Sequence, residues 1–193
     1  TFDKIKFNRK TIGYQKAIEI ARLILLHYHP DLSKGKDDVL ALMFDMNFLW
    51  EKFVLVSLQK NRVFKVRGQD SRYFWKPHGG KRRKIKPDIT IHLNDKNFVI
   101  DTKWKLVDNK PSMEDIRQMY AYHHYFKADK VALLYPGTNK YTMGNFVNIE
   151  KNDNLTNLEC GLIFSRHQDS VQEWQKEIKK LVLDWIENKL NQQ

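Results

Sequence analysis

Apolar residues recur at helical spacing from Gln15 to His29, with Ala17, Ile18, Ala21 and Leu25 among them, and Pro30 disfavours helix at the residue before it. This predicts a first helix. After a polar turn over Ser33 to Asp38, Val39 to Lys60 reads as a longer helix with a stripe through Leu40 or Val39, Phe44, Phe48, Glu51, Leu55 and Leu58. Glu51 stands where an apolar residue belongs. If buried, it must be paired, protonated or metal-linked; at the edge of the stripe it would be solvated.

From Arg62 the period changes to two, with Phe64 and Val66 on one face of a strand and Lys65 and Arg67 on the other. A second short strand, Arg72 to Lys76, follows Gly68, and Pro77-His78-Gly79-Gly80 is turn chemistry. Ile85 to Leu93 then alternates: Ile85, Pro87, Ile89, Ile91 and Leu93 point one way, Lys86, Asp88, Thr90 and His92 the other. Asn94 to Asn97 suits a hairpin loop into a strand from Phe98 to Trp104, on which Val99, Asp101 and Lys103 share a face. Pro111-Ser112 opens a helix to about Phe126, with Ser112 as N-cap and Asp115 three residues on. Lys130 to Tyr135 has the apolar run of a buried strand; Asn145 to Ile149 and Cys160 to Phe164 are further strands, and Val171 to Leu190 is a closing amphipathic helix. No repeat or linker interrupts the order. It predicts one α/β domain over 1–193 with a mixed central sheet flanked by helices: an N-terminal helical extension (1–37), a catalytic core (38–137), and C-terminal strands and helix (138–193).

The formal net charge of +11 sits almost entirely in Lys60 to Lys86, which holds eleven basic residues against Asp70 alone. Such a field favours a polyanion, nucleic acid before others, although a solvated hairpin would read the same way. The candidate DNA contacts are Lys65, Arg67, Arg72, Lys76, Lys81, Arg82, Arg83, Lys84 and Lys86. Tyr73 and Trp75 beside them can stack on bases or belong to a strand packed into the core. Cys160, the only cysteine, excludes an intramolecular disulfide and a multi-Cys metal site, and reads as a small buried hydrophobe. His123-His124 and His27 with His29 lack zinc-ligand spacing, and Gly79-Gly80-Lys81-Arg82 is no P-loop. The lack of a long uncharged apolar run leads to the expectation of a soluble, cytoplasmic protein that does not enter a membrane.

Asp88 and Asp101 with Lys103 carry the chemistry, because the hairpin lets two carboxylates and an ammonium converge on one face. Hard oxygens of this kind suit Mg²⁺ with several waters, and Mn²⁺ in its place. Such a metal neutralises a scissile phosphate and lowers the pKa of a water, while Lys103 orients that water or stabilises charge on phosphorus. A DNA-binding scaffold with structural carboxylates, in which Asp101 and Lys103 form a weak ion pair, is the non-enzymatic alternative.

Pro87-Asp88, thirteen residues before Asp101-Thr102-Lys103, resembles the PD-(D/E)xK nuclease signature, and Gln118 to Tyr122 resembles the QxxxY element of its RecB-like branch. More closely, Leu42 to Asn47 with Trp50-Glu51, Ile100 to Lys105, Gln118 to Tyr122 and Leu133 to Pro136 are similar to the C-terminal nuclease part of the McrC family, from about Leu40 to Gly137. The resemblance implies a restriction-endonuclease-like core. It also implies a Mg²⁺-dependent endonuclease of an antiviral restriction system, acting on double-stranded DNA with an McrB-like AAA+ GTPase that selects the target. Asp88, Asp101 and Glu51, with Thr102, would hold metal, Lys103 would be the catalytic lysine, and Gln118 and Tyr122 would line the site. A second copy would serve double-strand cleavage. A stand-alone repair or junction nuclease of the same core is the enzymatic alternative. Because the resemblance starts near the beginning of the chain, the region by which such subunits engage their partner is expected to be missing, and Thr1 fits either a fragment or removal of Met.

Overall fold

The computed structural model describes residue 8 and residues 11–25, 45–60, 64–147 and 155–192. The chain divides into two compact units, 1–43 and 44–193. In the first, the Asn8 carboxamide oxygen accepts the Thr11 N–H at 3.1 Å, and a 3₁₀ turn, Ile12–Tyr14, leads into α1 (Gln15–Leu25). The end expected for this helix, at His29, and the turn over 33–38 lie outside the described residues.

The second unit opens on α2 (Met46–Gln59), whose N-cap Asp45 has extended backbone and accepts the N–H groups of Asn47 and Phe48. The helix expected to be continuous from Val39 to Lys60 is thus interrupted at Asp45, and its expected first part, 39–44, lies outside the described residues. The buried face then runs through Trp50, Glu51, Val54, Leu55 and Leu58, whereas Phe48 is exposed, so the apolar stripe drawn through Phe48 is displaced. β1 (Lys65–Gly68) ends at a close approach to α2: a Cβ on Gly68 would stand 2.5 Å from Leu55 Cδ2. β2 (Arg72–Trp75) and β3 (Arg83–Ile85) pair antiparallel as a separate two-stranded ribbon, with a bulge between Tyr73 and Trp75.

β4 (Ile89–Leu93) and β5 (Lys96–Thr102) form a hairpin whose Asn94 and Asp95 both take positive φ, 49° and 58°, as a tight two-residue turn requires. The single strand expected over Ile85 to Leu93 is therefore two. Pro87 has no N–H to give a ladder, and the Asp88 carbonyl instead accepts the N–H of Gln69 at 2.8 Å. The strand expected to reach Trp104 stops at Thr102.

α3 (Met113–Phe126) starts as expected, with the Ser112 hydroxyl accepting the Asp115 N–H at 3.1 Å. β6 (Lys130–Pro136), β7 (Thr142–Val147), β8 (Leu155–Ser165) and α4 (Val171–Ile186) complete the unit. The six-stranded sheet has the order β1-β4-β5-β6-β8-β7, parallel at β5/β6 and β6/β8 and antiparallel elsewhere. Alternate residues of the central strands feed two cores: Phe98, Ile100, Ala132 and Leu134 meet α2 and α4, while Val99, Val131, Leu133 and Tyr135 meet α3. The result is the expected mixed α/β architecture, a sheet with helices on both faces. Cys160 lies buried in the α3 core, and burial pushes its thiol up to about 12. Among the described residues, no helix is long and apolar enough to cross a membrane.

Candidate active site

The carboxyl ends of the parallel strands are where open α/β sheets leave room for ligands, and β5 delivers Asp101, Thr102 and Lys103 there. A cavity of about 330 Å³ opens at this point. Asp45, Asn47 and Glu51 of α2 reach it from one side, Lys86 and Asp88 from the segment before β4, and Gln118 from α3. Asp88 is held by β5 itself: its Oδ2 accepts the Thr102 N–H at 2.7 Å and the Thr102 hydroxyl at 2.8 Å. Thus Pro87-Asp88 and Asp101-Thr102-Lys103, separated in sequence, form one unit.

Asp101 is only 2% exposed. The Lys103 ammonium stands 2.6 Å from its Oδ2, so the carboxylate is held in a buried ion pair. Burial, and then repulsion from Asp88, push the Asp101 carboxyl up to about 6 against the pull of Lys103. Asp88 is also raised, by burial and by Glu51, with the two Thr102 bonds opposing. Burial alone would lower Lys103, but Asp101, Asp115 and Asp88 outweigh it and hold the ammonium above its ordinary value. Lys103 therefore stays protonated.

Gln118 and Tyr122, one turn apart on α3, are joined as their spacing suggested: Gln118 Nε2 donates to the Tyr122 hydroxyl at 2.7 Å. Gln118 Oε1 accepts from Lys103 Nζ at 3.2 Å, so the amide bridges lysine and tyrosine. The Tyr122 oxygen lies 2.9 Å from the Lys86 carbonyl, its acceptor, and 3.4 Å from Asp101 Oδ1. It pins the chain two residues before Asp88. Burial and the neighbouring carboxylates push its phenol far up, so it remains a neutral hydrogen-bonding group.

Glu51 is buried and paired, one of the readings its sequence position left open: Oε1 accepts from Gln69 Nε2 at 2.8 Å and from Lys52 Nζ at 3.0 Å. Among the described residues, no three His, Cys, Asp or Glu side chains are gathered closely enough to cage a metal. The donor set is the Asp88–Asp101 pair, with Glu51 at the cavity wall and the Thr102 hydroxyl donating to Asp88. Two carboxylates lining one cavity fit a hard cation that keeps several waters. Such a cation would relieve the repulsion that raises both groups.

The expected signature is a metal-dependent melting temperature that varies with pH. Asp101 binds its proton up to about 6 when folded but only to about 3.8 otherwise, so its contribution to stability is complete below 3.8 and is lost as pH rises to 6. Asp115 is shifted the other way: burial would raise it, but Lys105, Ser112 and Lys103 lower it, so it stabilises at high pH and loses that effect in acid. The increment caused by metal separates the two. Mg²⁺ or Mn²⁺ should raise Tm well above pH 6 and leave it unchanged near pH 4 in scanning fluorimetry; an equal increment at both would remove the carboxylate pair as the binding site.

Two contributors escaped the reading of sequence. Asp115 is buried and holds Lys105 at 2.5 Å and Lys103 at 3.6 Å, besides its place in the α3 cap. Its pairing with the cap was legible; its aim at Lys103 was not. Gln69, with φ of 55°, links Glu51 to the Asp88 backbone, and nothing local signals it.

The expected DNA contacts are all exposed. Lys65 and Arg67, with Arg72, line a second cavity of about 360 Å³ below β1 and β4, whereas Lys86 reaches the carboxylate cavity. Arg72 donates to the Tyr125 carbonyl at 2.5 Å and lies over the Phe126 ring, which makes it an anchor of the ribbon. Lys76, Lys81, Arg82, Arg83 and Lys84 project from that ribbon and its turn.

A family model described as the McrBC 5-methylcytosine restriction system component matches residues 1–136, a span that holds Glu51, Asp88, Asp101, Lys103, Gln118 and Tyr122 and starts well before Leu40. Among solved structures, the chain is similar to a chain from the tetradecameric assembly of Thermococcus gammatolerans McrB AAA+ hexamers with bound McrC. The TM-score is 0.57 and the identity 18%, over 95% of this chain and 41% of that one. That likeness shows a shared fold, and this chain spans less than half of its counterpart's length. Weaker similarity connects it to SSO0001 (TM-score 0.38, 15% identity, 92% of this chain and 70% of that one). The same holds for AF1548, described as a protein of unknown function (TM-score 0.33, 11% identity, 46% and 47%). No match is found among curated proteins.

Proposed function

The chain belongs to the McrBC 5-methylcytosine restriction system component family, and from that premise we propose that it is the DNA-cleaving part of such a system, a Mg²⁺-dependent endonuclease of the PD-(D/E)xK type. The observation that carries the reading is the meeting of Asp88, Asp101 and the Lys103 ammonium at one cavity, with Asp101 Oδ2 buried against that ammonium at 2.6 Å. Asp88 and Asp101 would hold the metal, with Glu51 at the wall supporting it. When bound, the metal supplies charge neutralisation of the phosphodiester and a more acidic water.

The chain's own residues do the rest. Lys103, kept protonated by its acidic neighbours, donates to the phosphate oxygens on which charge grows; it is a hydrogen-bond donor and cation here, not a base. Gln118 and Asp115 limit where its ammonium can point. Tyr122 fixes the Lys86 carbonyl and so the approach to Asp88. The exposed basic residues meet the duplex backbone, and such contacts position DNA without reading its sequence. Target choice would fall to an AAA+ GTPase partner. The similar assembly contains McrB AAA+ hexamers with bound McrC, which supports a partner of that kind. Double-strand cleavage needs a second site, supplied by another copy.

Cleavage of a supercoiled plasmid tests this. The chain should nick or linearise it in Mg²⁺ or Mn²⁺, alone or with the cognate AAA+ subunit and GTP, and chelation should stop it. Cleavage that survives chelation, or none even with partner and GTP, would overturn the proposal.

A further inference from the structure

The β2–β3 ribbon leaves the sheet between β1 and β4, and of its residues only Ile85, at the end of β3, packs against a core. Both of its feet stand at the carboxylate site. The Gln69 N–H bonds the Asp88 carbonyl at 2.8 Å, and Lys86 Nζ donates to Gln69 Oε1 at 3.3 Å. One side is tied down by Arg72 on the end of α3 and by the Phe74 ring, 5.0 Å from Tyr125. Tyr73 and Trp75 face solvent, 58% and 56% exposed, and Phe74 stays 48% exposed beside Tyr125. This settles the choice that the sequence left open, since the strand does not pack into the core.

Three consecutive exposed aromatics on a short ribbon need a covering surface, because a two-stranded hairpin is marginal on its own in water. The charge identifies the chemistry of that surface. From Ser71 to Pro87 there are seven Lys and Arg residues and no carboxylate. Arg82 and Lys84 lie over the Tyr73 ring at 5.0 and 5.3 Å, while Trp75 makes no ring contact with any described residue. Aromatic faces interleaved with cations match a polyanion that also offers flat rings, which is a nucleic-acid strand. Position makes it a strand at the cavity. Trp75 pairs with Arg83, five residues before Asp88, and five extended residues reach at most about 17 Å. That is roughly five nucleotide steps of one strand.

A base inside a duplex is covered on both faces by its neighbours, so an aromatic side chain gains a stacking partner only where bases are unpaired. We propose that the β2–β3 ribbon grips an unpaired stretch of DNA next to the phosphodiester in the carboxylate cavity. Trp75 and Tyr73 stack on the exposed bases, and Lys76, Lys81 and Arg83 meet the phosphates. This rests on the reading of the chain as a DNA-binding nuclease and extends it to the kind of DNA that the site prefers.

Fluorescence anisotropy of the full chain, in chelator to prevent cleavage, with a labelled duplex and the same duplex carrying a central unpaired bubble, tests it. The bubble should bind about tenfold tighter, Trp75→Ala should remove most of that preference, and Trp75→Phe should restore it, with duplex affinity little changed throughout. Equal affinity for both DNAs, or an equal loss on both in Trp75→Ala, overturns the ribbon's role and leaves duplex binding standing. Binding to neither DNA overturns this inference, while the nuclease reading stands or falls by plasmid cleavage with the partner and GTP.

Discussion

Asp88→Ala is expected to lower metal-dependent plasmid cleavage by about a thousandfold or more, since one of the two carboxylates proposed to hold the metal is lost, while Tm moves by only about 2 °C. The small stability change follows from the local bonding. Asp88 lines the open cavity, so water entering in its place takes up the Thr102 N–H and hydroxyl that it accepts. Removing it also relieves the repulsion that adds to burial in raising Asp101, which should then titrate somewhat lower while burial still holds it above 3.8. Lys103→Ala is expected to abolish cleavage as well, by about 100- to 1,000-fold, as for loss of one charge-stabilising donor. Single-turnover cleavage and thermal melting of both variants check this. Residual activity near wild type would remove the carboxylate site, and a large fall in Tm for Asp88→Ala would make that carboxylate structural.

Trp50→Ala is expected to destabilise the second unit by about 3–5 kcal/mol, the usual range for a large aromatic removed from a core. Trp50 is 2% exposed and packs against Phe53, Trp104 and Trp174 at ring distances of 6.1, 5.8 and 5.4 Å. Its indole N–H also donates to the Leu134 carbonyl at 3.2 Å, the same oxygen that accepts the Lys103 N–H at 3.0 Å. The variant should therefore lose roughly 10 °C in Tm and loosen the backbone at Lys103. Denaturant unfolding gives the number; a loss under about 1 kcal/mol would mean that α2 is not fixed to the sheet by this residue.

Sequence alone determined the features that depend on near neighbours. The Ser112 cap, the shared face of Asp101 and Lys103, the Gln118–Tyr122 pair and the basic run from Lys60 to Lys86 are all set by spacings of a few residues, and spacing maps directly onto helix turns and strand pleats. The mixed α/β class followed from the order of such segments. Where a rule of local geometry met a stronger local rule, the reading slipped: Asp45 caps α2 inside a helix drawn as continuous to Lys60, and Pro87 split a strand drawn from Ile85 to Leu93.

Only the tertiary structure decided what lies outside those windows. It turned Asp115 and Gln69 toward the site, set Glu51 in a pair with Gln69, tied Arg72 to α3 and left Tyr73 to Trp75 in solvent. It also raised Asp101, because burial and the field of Asp88 depend on which elements close over a group and not on the residues beside it in the chain. A periodic pattern states which face of an element is covered. What covers it, and what charge arrives there, is fixed only when strands and helices distant in sequence are brought to one end of the sheet.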